Sequence, residues 1–372
     1  MGLLAACQTP PPPPPPSTVP QLPFPAPAGS PSPTLTVDRN FVTGLNNPWD
    51  VGFAADGTMF FTERTGEINV RQTDGTVREL LAAPPSFLPG SEGGMLGLAV
   101  DPSFASNRFI YTCFTSSEPG GNGDVRAVRW TVANDLLSVA LNANIVTGMP
   151  RSTGRHSGCR PRFKPGTDQL FIGTGDAAIG TNPQDLNSLG GKVLRVTRDG
   201  NPYPGNPFGT RIFNYGHRNV QGIAFAANGS GMSLEHGPDR DDEVNLIVPG
   251  DFGWDPVPGY NEAVPMTRST GAWLPVWSSG FPTIAPSGAT FLTGSQWEGW
   301  NGALAVAVLK GQHLRIMFPD ANGFIGANNL VASIPGGAVP RLRSAVQGPD
   351  GNLYITTDMG GGGGAIWQVV PS

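Results

Sequence analysis

Two short polar clusters within residues 216–247 concentrate the potential chemistry of this chain. The clusters are GHRN at 216–219 and EHGP at 235–238. Between them, residues 223–226 and 232–234 predict the two strands of a hairpin, joined across an Asn-Gly pair that favours a tight turn. Because a hairpin brings its outer ends together, the sequence predicts that both clusters lie at one edge of a sheet.

His156 is the candidate general base among the four histidines. It precedes the first strand of a predicted hairpin, and Asp176 follows the second strand. The carboxylate could therefore reach the imidazole and hold its tautomer, and histidine titrates near neutral pH. A loop histidine bonded to its own backbone and an ordinary Gly-Asp turn are the alternatives that the sequence leaves open.

The run GPDRDDE at 237–243 is a candidate calcium site. Calcium prefers carboxylate and carbonyl oxygens, although the spacing here does not match an EF-hand loop. Gly237 has no side chain and Pro238 has no N–H, so both carbonyls can turn toward an ion. We expect the acids that follow them to support the loop, with a solvated acidic loop as the alternative.

Lys310, Arg341 and Arg343 form, with Arg218, a set of cations drawn from three sequence repeats. If these repeats surround a common axis, the four side chains can converge on one central pocket. Guanidinium groups hold carboxylates in fixed geometry, so such a pocket predicts a polyanionic ligand. Scattered surface charges are the alternative.

The element that must position these residues is a repeated pair of apolar strands. Six copies recur at irregular spacing, each with a turn such as Asp-Gly between its two apolar runs. This pattern predicts an all-β six-bladed β-propeller of four-stranded antiparallel sheets over residues 37–372, with a β-sandwich as the alternative. The long insertions at 176–190 and 250–283 are where a site is expected.

Composition narrows the class of protein. Charged residues make up 14% of the 372 residues, while glycines number 52 and prolines 39, as turn-rich short strands require. The net charge of −5, without a basic run, argues against a nucleic-acid partner and leaves small neutral substrates or protein partners open. An apolar run of the ~18 residues that span a bilayer is absent from the sequence.

The first residues predict export. Residues 4–7, LAAC, resemble the lipobox of bacterial lipoproteins, so residues 1–7 are interpreted as a truncated signal and Cys7 as a possible lipid anchor. Residues 8–36 are proline-rich and predict a disordered linker between anchor and domain. The expected location is the periplasm or the cell surface. Whether Cys113 and Cys159 pair is left open, because the sequence does not fix their distance.

Beyond residue 36, the chain resembles the soluble glucose dehydrogenase and aldose sugar dehydrogenase family, six-bladed propellers that use pyrroloquinoline quinone (PQQ). The motifs that carry the resemblance are PWD at 48–50, TER at 62–64, EGGMLG at 92–97, His156, GKVLR at 191–195, DG at 199–200, NP at 206–207, GHRN at 216–219, residues 235–245, FGW at 252–254, APSG at 285–288 and QGPDG at 347–351. The resemblance implies oxidation of the anomeric hydroxyl of an aldose to a lactone.

The same resemblance implies roles for individual residues. His156 matches the general base, Asp176 its supporting carboxylate, and Arg218 a residue beside the developing oxyanion. The main-chain carbonyls of Gly237 and Pro238 match the Ca²⁺ ligands. The positions that match cofactor contacts are Glu92, Arg218, Asn219, Thr283, Lys310, Arg341 and Arg343. The expected partners are an aldose and an external electron acceptor, and we expect a monomer.

Three departures from the family pattern concern the substrate more than the cofactor. Glu92 stands where the glucose enzymes use Gln, Val220 replaces a Pro, and Cys-Arg-Pro at 159–161 breaks the pattern after the base. The alternatives of other classes are a surface propeller that binds without catalysis and a Ca²⁺-dependent lactonase, whose metal needs side-chain carboxylates. Survival of His156 together with the cation set favours the dehydrogenase.

Overall fold

Six antiparallel sheets surround a common axis in the computed structural model, which describes residues 23–118, 120–121, 123–268 and 270–372. The predicted six-bladed propeller is confirmed. Five sheets have four strands, and the third gains a fifth strand of two residues that pairs in parallel. In each blade the first strand of a predicted repeat is followed by its antiparallel partner, so the apolar pairs found in the sequence are the inner halves of the blades.

The strands are named in chain order. Blade one consists of β2 (Pro48–Phe53), β3 (Met59–Glu63), β4 (Ile68–Arg71) and β5 (Val77–Leu81). Blade two consists of β6 (Met95–Val100), β7 (Phe109–Ser116), β8 (Asp124–Val132) and β9 (Val139–Met149), with the short helix α1 (Phe104–Asn107) between β6 and β7. Blade three consists of β10 (Gly158–Phe163), β11 (Leu170–Thr174), β12 (Lys192–Val196), β13 (Ile212–Tyr215) and the added β17 (Gly250–Asp251).

The remaining blades complete the ring. Blade four consists of β14 (Val220–Phe225), β15 (Gly231–Glu235), β16 (Glu243–Leu246) and β18 (Trp277–Ser278). Blade five consists of β19 (Pro286–Phe291), β20 (Leu304–Val308), β21 (His313–Met317) and β22 (Asn329–Val331), with a 3₁₀ helix (Ser295–Trp300) after β19. Blade six consists of β23 (Leu342–Gln347), β24 (Leu353–Thr357), β25 (Gly364–Pro371) and β1 (Leu35–Leu45).

Blade six is closed by the two ends of the described chain. Strand β1 pairs antiparallel with β25, and Leu35 lies opposite Pro371 in the register. The first strand is therefore the outermost strand of the last blade, and the ring closes by backbone hydrogen bonds.

Burial on both faces explains why the inner strands are largely apolar. Every residue of the second strand is buried in blades one, three, four, five and six. A sheet covered on both faces needs such continuous apolar runs. The blades approach so closely that a Cβ on Gly97 would lie 2.5 Å from Pro161, and one on Gly222 would lie 2.3 Å from the Ser287 carbonyl. Glycine at these two positions therefore allows neighbouring inner strands to pack.

A buried ion pair occupies the propeller axis. Arg160 Nη1 lies 2.6 Å from Asp50 Oδ1, and Arg162 also binds this carboxylate at 2.8 Å. Ser344 Oγ donates to Asp50 at 2.8 Å, and Arg160 Nε donates to the Gln221 carbonyl at 2.5 Å. These contacts join the inner strands of blades one, three, four and six.

Both members of this pair are charged near neutral pH. Burial acts to raise the pKa of Asp50, but the Arg160 and Arg162 guanidinium groups outweigh it and lower the pKa to about 2. Burial lowers the pKa of Arg160 to about 9. On one side of the pair lies the cleft described below. On the other side a cavity of about 580 Å³ begins at Val51, the next residue along β2.

A disulfide joins the cysteines whose pairing the sequence left open. Cys113 on β7 and Cys159 on β10 are bonded at 2.05 Å and are both buried. The bond connects blade two to blade three three residues after His156. Because it closes a long segment of chain, it constrains the unfolded state and stabilises the fold.

The described part of the proline-rich segment, from residue 23 onward, packs on the propeller. Phe24 is buried against Phe291, its N–H donates to the Ala321 carbonyl at 3.0 Å, and the Gly29 N–H donates to the Gly299 carbonyl at 2.8 Å. The predicted linker of residues 8–36 therefore differs from the structure in its second half, where the Phe24 side chain packs on blades four and five. Residues 1–22, including the predicted lipobox and Cys7, lie outside the described residues. Among the described residues, no helix has the length and apolar character needed to cross a membrane.

Candidate active site

A cleft at one face of the propeller collects nearly all of the residues predicted to do chemistry. It consists of two adjoining cavities of about 270 and 300 Å³ that share Glu92, His236, Ala285 and Lys310. The first is also lined by Arg155, His156, Arg218, Asn219, Gly237, Pro238, Asp242 and Thr283, and the second by Trp49, Arg64, Leu96, Ser157, Gly158, Gln221, Leu309, Arg341 and Arg343. We call the two cavities together the central cleft.

His156 and Asp176 form a buried pair at the wall of the central cleft. His156 Nδ1 lies 2.7 Å from Asp176 Oδ1, as the predicted hairpin of β10 and β11 requires. An ionised carboxylate can only accept, so Nδ1 carries the proton and Nε2 is left as the basic nitrogen. The arrangement can remove a proton from a bound hydroxyl and then hold the imidazolium beside a negative charge.

The backbone at His156 is constrained from several sides. Its φ of 52° lies in the left-handed region, which a residue with a side chain adopts only when the surroundings impose it. Its N–H donates to Glu92 Oε2 at 2.8 Å. A Cβ on Gly175 would lie 1.8 Å from the His156 carbonyl, so glycine there lets the two hairpin ends approach. Glu92 therefore fixes the loop of the candidate base as well as lining the cleft.

Two aromatic residues that the sequence did not single out for chemistry hold the second oxygen of Asp176. Trp254 Nε1 and Tyr260 OH each donate to Asp176 Oδ2 at 2.8 Å. Both come from the insertion between β17 and β18, so this loop closes over the pair. Burial and the neighbouring Asp176 charge raise the pKa of Tyr260, which keeps its hydroxyl protonated as a donor. Trp254 belongs to the FGW motif of the family resemblance, whereas no local sequence pattern indicates a role for Tyr260.

Arg218 lies between the base and the Gly-Pro loop. One of its guanidinium nitrogens donates to the carbonyls of His236 and Gly237 at 3.0 and 2.9 Å, and the other binds Glu262 at 2.6 Å. The Arg218 N–H donates to Glu235 Oε2 at 2.7 Å. The hairpin of β14 and β15 thus brings the two polar clusters together, as the sequence predicts.

The first cluster is anchored by His217, which is fully buried. Its Nδ1 lies 2.6 Å from Glu235 Oε1, its Nε2 lies 3.0 Å from Asn214 Oδ1, and its ring stacks on Phe252. With both nitrogens bonded inside the protein, His217 shapes the loop that carries Arg218 and Asn219.

The Gly237-Pro238 loop is held by Asp242, as expected of the acidic run. The Asp242 carboxylate accepts the N–H groups of Gly237, Ile284 and Ala285 at 3.0, 2.6 and 2.7 Å. A Cβ on Gly237 would lie 1.9 Å from the Arg240 carbonyl, so a larger residue cannot take this conformation. The carboxylate therefore supports the loop, while Gly237 and Pro238 face the cleft.

The second cavity of the cleft is cationic. Lys310 Nζ donates to Thr283 Oγ1 at 2.9 Å, and the Arg341 and Arg343 guanidinium groups both contact Asp358, at 3.3 and 3.0 Å. Burial acts to raise the pKa of Asp358, but the neighbouring arginines outweigh it and lower the pKa to about 2, with the largest contribution from Arg343. This carboxylate therefore stays ionised.

Two further residues of this cavity were not predicted as site residues. Arg64, from the TER motif, adds a cation to the lining. His236 donates from Nε2 to the Pro286 carbonyl at 2.9 Å, and burial, reinforced by Arg343 and Arg218, lowers its pKa to about 3. His236 is therefore a neutral hydrogen-bonding residue, and the positive charge of the cavity comes from the lysine and the arginines.

The polar groups of the cleft fit an anionic ligand. Arg218 Nε and Arg343 Nε are buried without a hydrogen-bond partner, an arrangement that is costly in the protein alone. Together with Lys310 and Arg341 they offer donors to carboxylates at several points of the central cleft. In the described residues, no group of three or more His, Cys, Asp or Glu side chains could hold a metal ion. Carbonyl oxygens also suit a hard cation, and Gly237 and Pro238 line the cleft, but an ion at Gly237 would share its carbonyl with Arg218 Nη1, which donates to it at 2.9 Å.

Comparison with known proteins points to one family. Residues 45–367 match the family model described as glucose/sorbosone dehydrogenase. The chain is 29% identical to the aldose sugar dehydrogenase YliI of Escherichia coli, over 86% of this chain and 89% of that protein. It is 27% identical to quinoprotein glucose dehydrogenase B of Acinetobacter calcoaceticus, over 86% and 85%. The solved PQQ-bound aldose sugar dehydrogenase of Streptomyces coelicolor superposes with a TM-score of 0.76 at 30% identity, over 92% of this chain and all of that one.

Proposed function

The chain belongs to the glucose/sorbosone dehydrogenase family, and we propose that it is a PQQ- and Ca²⁺-dependent dehydrogenase that oxidises the anomeric hydroxyl of aldose sugars to lactones. The observation that carries this proposal is the convergence of a buried His–Asp pair and a set of cations on one cleft. A general base alone serves many reactions. A base beside a cavity built for a polycarboxylate fits a dehydrogenase that uses an anionic quinone.

The lining of the cleft supports the cofactor contacts that the family resemblance implies. Lys310, Arg341 and Arg343 would hold the carboxylates of PQQ, and Thr283, Glu92 and Asn219 would contact it. The carbonyls of Gly237 and Pro238 would bind Ca²⁺. The chemistry that PQQ and Ca²⁺ supply when bound is acceptance of the substrate's hydride at a polarised quinone carbonyl.

The reaction asks three things of the protein's own residues. His156 Nε2 accepts the proton of the anomeric hydroxyl, which makes departure of the hydride from the same carbon easier. Asp176 stabilises the imidazolium that results, at the 2.7 Å separation observed. Arg218 supplies positive charge beside the reacting oxygen, held in place by the His236 and Gly237 carbonyls. The proton then leaves His156 to solvent, and the electrons leave to an external acceptor.

Reconstitution tests the proposal. The purified protein, supplied with Ca²⁺ and PQQ, should oxidise a panel of aldoses with an artificial dye as acceptor, and a reducing sugar should change the absorption spectrum of the bound quinone. His156→Ala should lose turnover and still bind PQQ in calorimetry. A protein that binds no PQQ and oxidises no sugar of the panel would refute the proposal, and a His156→Ala variant with normal turnover would remove His156 from its role.

The cellular setting also remains a proposal. The lipobox at residues 4–7 motivates export to the periplasm or cell surface with Cys7 as an anchor. Labelling of the expressed protein with a fatty-acid analogue checks it: label on wild type but not on Cys7→Ala supports the anchor, and no label on wild type speaks against it.

A further inference from the structure

Three charged side chains from separate segments meet at the rim of the central cleft. Glu262 Oε1 accepts from Arg218 Nη2 at 2.6 Å and from Arg155 Nη2 at 3.0 Å. Arg155 is the neighbour of the candidate base, and Glu262 lies on the insertion between β17 and β18. We propose that Glu262 makes the site select against negatively charged substrates. It binds two guanidinium groups that would otherwise bind a sugar carboxylate, and so restricts the site to uncharged sugars. This inference rests on the proposed function.

Arg218 cannot escape this contact by moving. Its side chain is only 5% exposed, and its other terminal nitrogen is committed to the His236 and Gly237 carbonyls. Its Nε is buried, so the outward end of its guanidinium is the nitrogen that binds Glu262. Glu262 therefore neutralises the part of Arg218 that faces the rim.

Glu262 and Arg155 are accessible to an incoming ligand. Their side chains are 38% and 44% exposed. Glu262 also lines an outer cavity of about 500 Å³ together with Pro238, Asp239 and Arg240, and Pro238 lines the central cleft as well. The Glu262 carboxylate thus lies at the outer cavity, while the two arginines that it binds line the central cleft.

The charge of Glu262 is stable at neutral pH. Partial burial acts to raise the pKa of Glu262, but its contacts with Arg218 and Arg155 outweigh this and lower it. A second carboxylate brought to the same two guanidinium groups would meet the like charge of Glu262 and compete with it for the outward nitrogens that it already binds. A neutral sugar meets no such penalty, since its hydroxyls can donate to Glu262.

D-glucose and D-glucuronate separate these effects, because both carry the anomeric hydroxyl and differ by the carboxylate at C6. In Glu262→Gln the side-chain oxygen can still accept from Arg218, but the negative charge is gone. We expect the ratio of kcat/KM for glucuronate to that for glucose to rise about tenfold in this variant, as loss of one like charge at a partly exposed site predicts. Glu79→Gln, which removes the same charge from the exposed outer strand of blade one, should leave the ratio unchanged.

Direct binding gives a second readout that needs no turnover. Glucuronate titrated into the cofactor-free protein in a calorimeter should bind Glu262→Gln more tightly than wild type, whereas glucose should bind both alike. Equal glucuronate affinity in the two proteins, absence of binding to both included, overturns the inference, as does an unchanged kinetic ratio. If no protein oxidises glucose, the proposed function fails while the calorimetric comparison still decides the role of Glu262.

Discussion

Replacing Asp176 by Asn tests the proposed base most sharply, because it keeps the size of the side chain and removes its charge. Four donors converge on the carboxylate: His156 Nδ1 at 2.7 Å and the Ala178 N–H at 2.8 Å on Oδ1, and Trp254 Nε1 and Tyr260 OH at 2.8 Å on Oδ2. The new NH₂ group must face a backbone or an indole N–H, neither of which can accept. One mismatched pair should lower the free energy of unfolding by about 1–3 kcal/mol.

The effect on rate should be larger than the effect on stability. If the NH₂ group takes the Oδ1 position, it donates to Nδ1 and forces the histidine proton onto Nε2, so the base is lost. If it takes the Oδ2 position, the imidazolium still loses its counter-charge. We expect kcat to fall about 10³–10⁴-fold, equivalent to ~4–5.5 kcal/mol of barrier.

The assay is dye-linked glucose oxidation by the reconstituted variant at saturating sugar, with PQQ affinity measured by calorimetry. PQQ affinity should be unchanged, since Asp176 lies behind the imidazole. Glu79→Gln, which also removes one carboxylate charge but lies on the exposed outer strand of blade one, serves as the control variant. A kcat within tenfold of wild type, with the variant folded and PQQ bound, would refute the assignment of His156 and Asp176 as a catalytic pair.

Three further predictions concern the cofactor loop, the disulfide and acid stability. Gly237→Ala should raise the Ca²⁺ concentration needed for reconstitution more than tenfold, since the new methyl group displaces the loop; a calcium titration against wild type decides, and an unchanged midpoint contradicts it. Replacing both Cys113 and Cys159 by Ala opens a segment of 46 residues and should lower the free energy of unfolding by up to about 4 kcal/mol in denaturant titrations, whereas no change would deny the bond a stabilising role. Folding lowers the pKa of His236 from 6.5 to about 3, so the unfolded chain takes up a proton that the folded protein does not. The contribution of His236 to the free energy of unfolding is therefore complete above pH 6.5 and is lost as the pH falls toward 3. His236→Gln should therefore show a shallower loss of thermal stability between pH 6.5 and 4, and parallel curves would count against this origin.

The repeat, the ring and much of the central cleft could be predicted because their signals are local. An apolar pair of strands with a turn between them specifies a hairpin, and a hairpin places its two ends together; this brings Asp176 to His156 and the GHRN cluster to the Gly-Pro loop. The cations of the later repeats meet in the cleft because the ring closes. These placements need only the order of the strands.

The features that could not be predicted from the sequence depend on tertiary contacts that no local pattern encodes. Tyr260 and Glu262 belong to a long insertion whose path over the cleft is fixed by tertiary packing, so their spacing carries no periodic signal. The pairing of Cys113 and Cys159 could not be predicted, because it depends on the distance between two blades. The packing of the segment around Phe24 was not predicted, because its proline content is typical of a linker. A single buried aromatic side chain nevertheless holds this segment on the propeller.

The ion pair of Asp50 and Arg160 also has a kinetic consequence. Trp49 lines the central cleft and Val51 lines the cavity on the far face, so the pair stands as a barrier between them. Under the proposed function, sugar, lactone and electron acceptor would then share the loop face, and a molecule bound in the cleft would obstruct the next. Oxidation of the sugar and reoxidation of the reduced cofactor would then follow one another as separate half-reactions. An excess of either the sugar or the electron acceptor should inhibit turnover, because it competes with the other for the cleft.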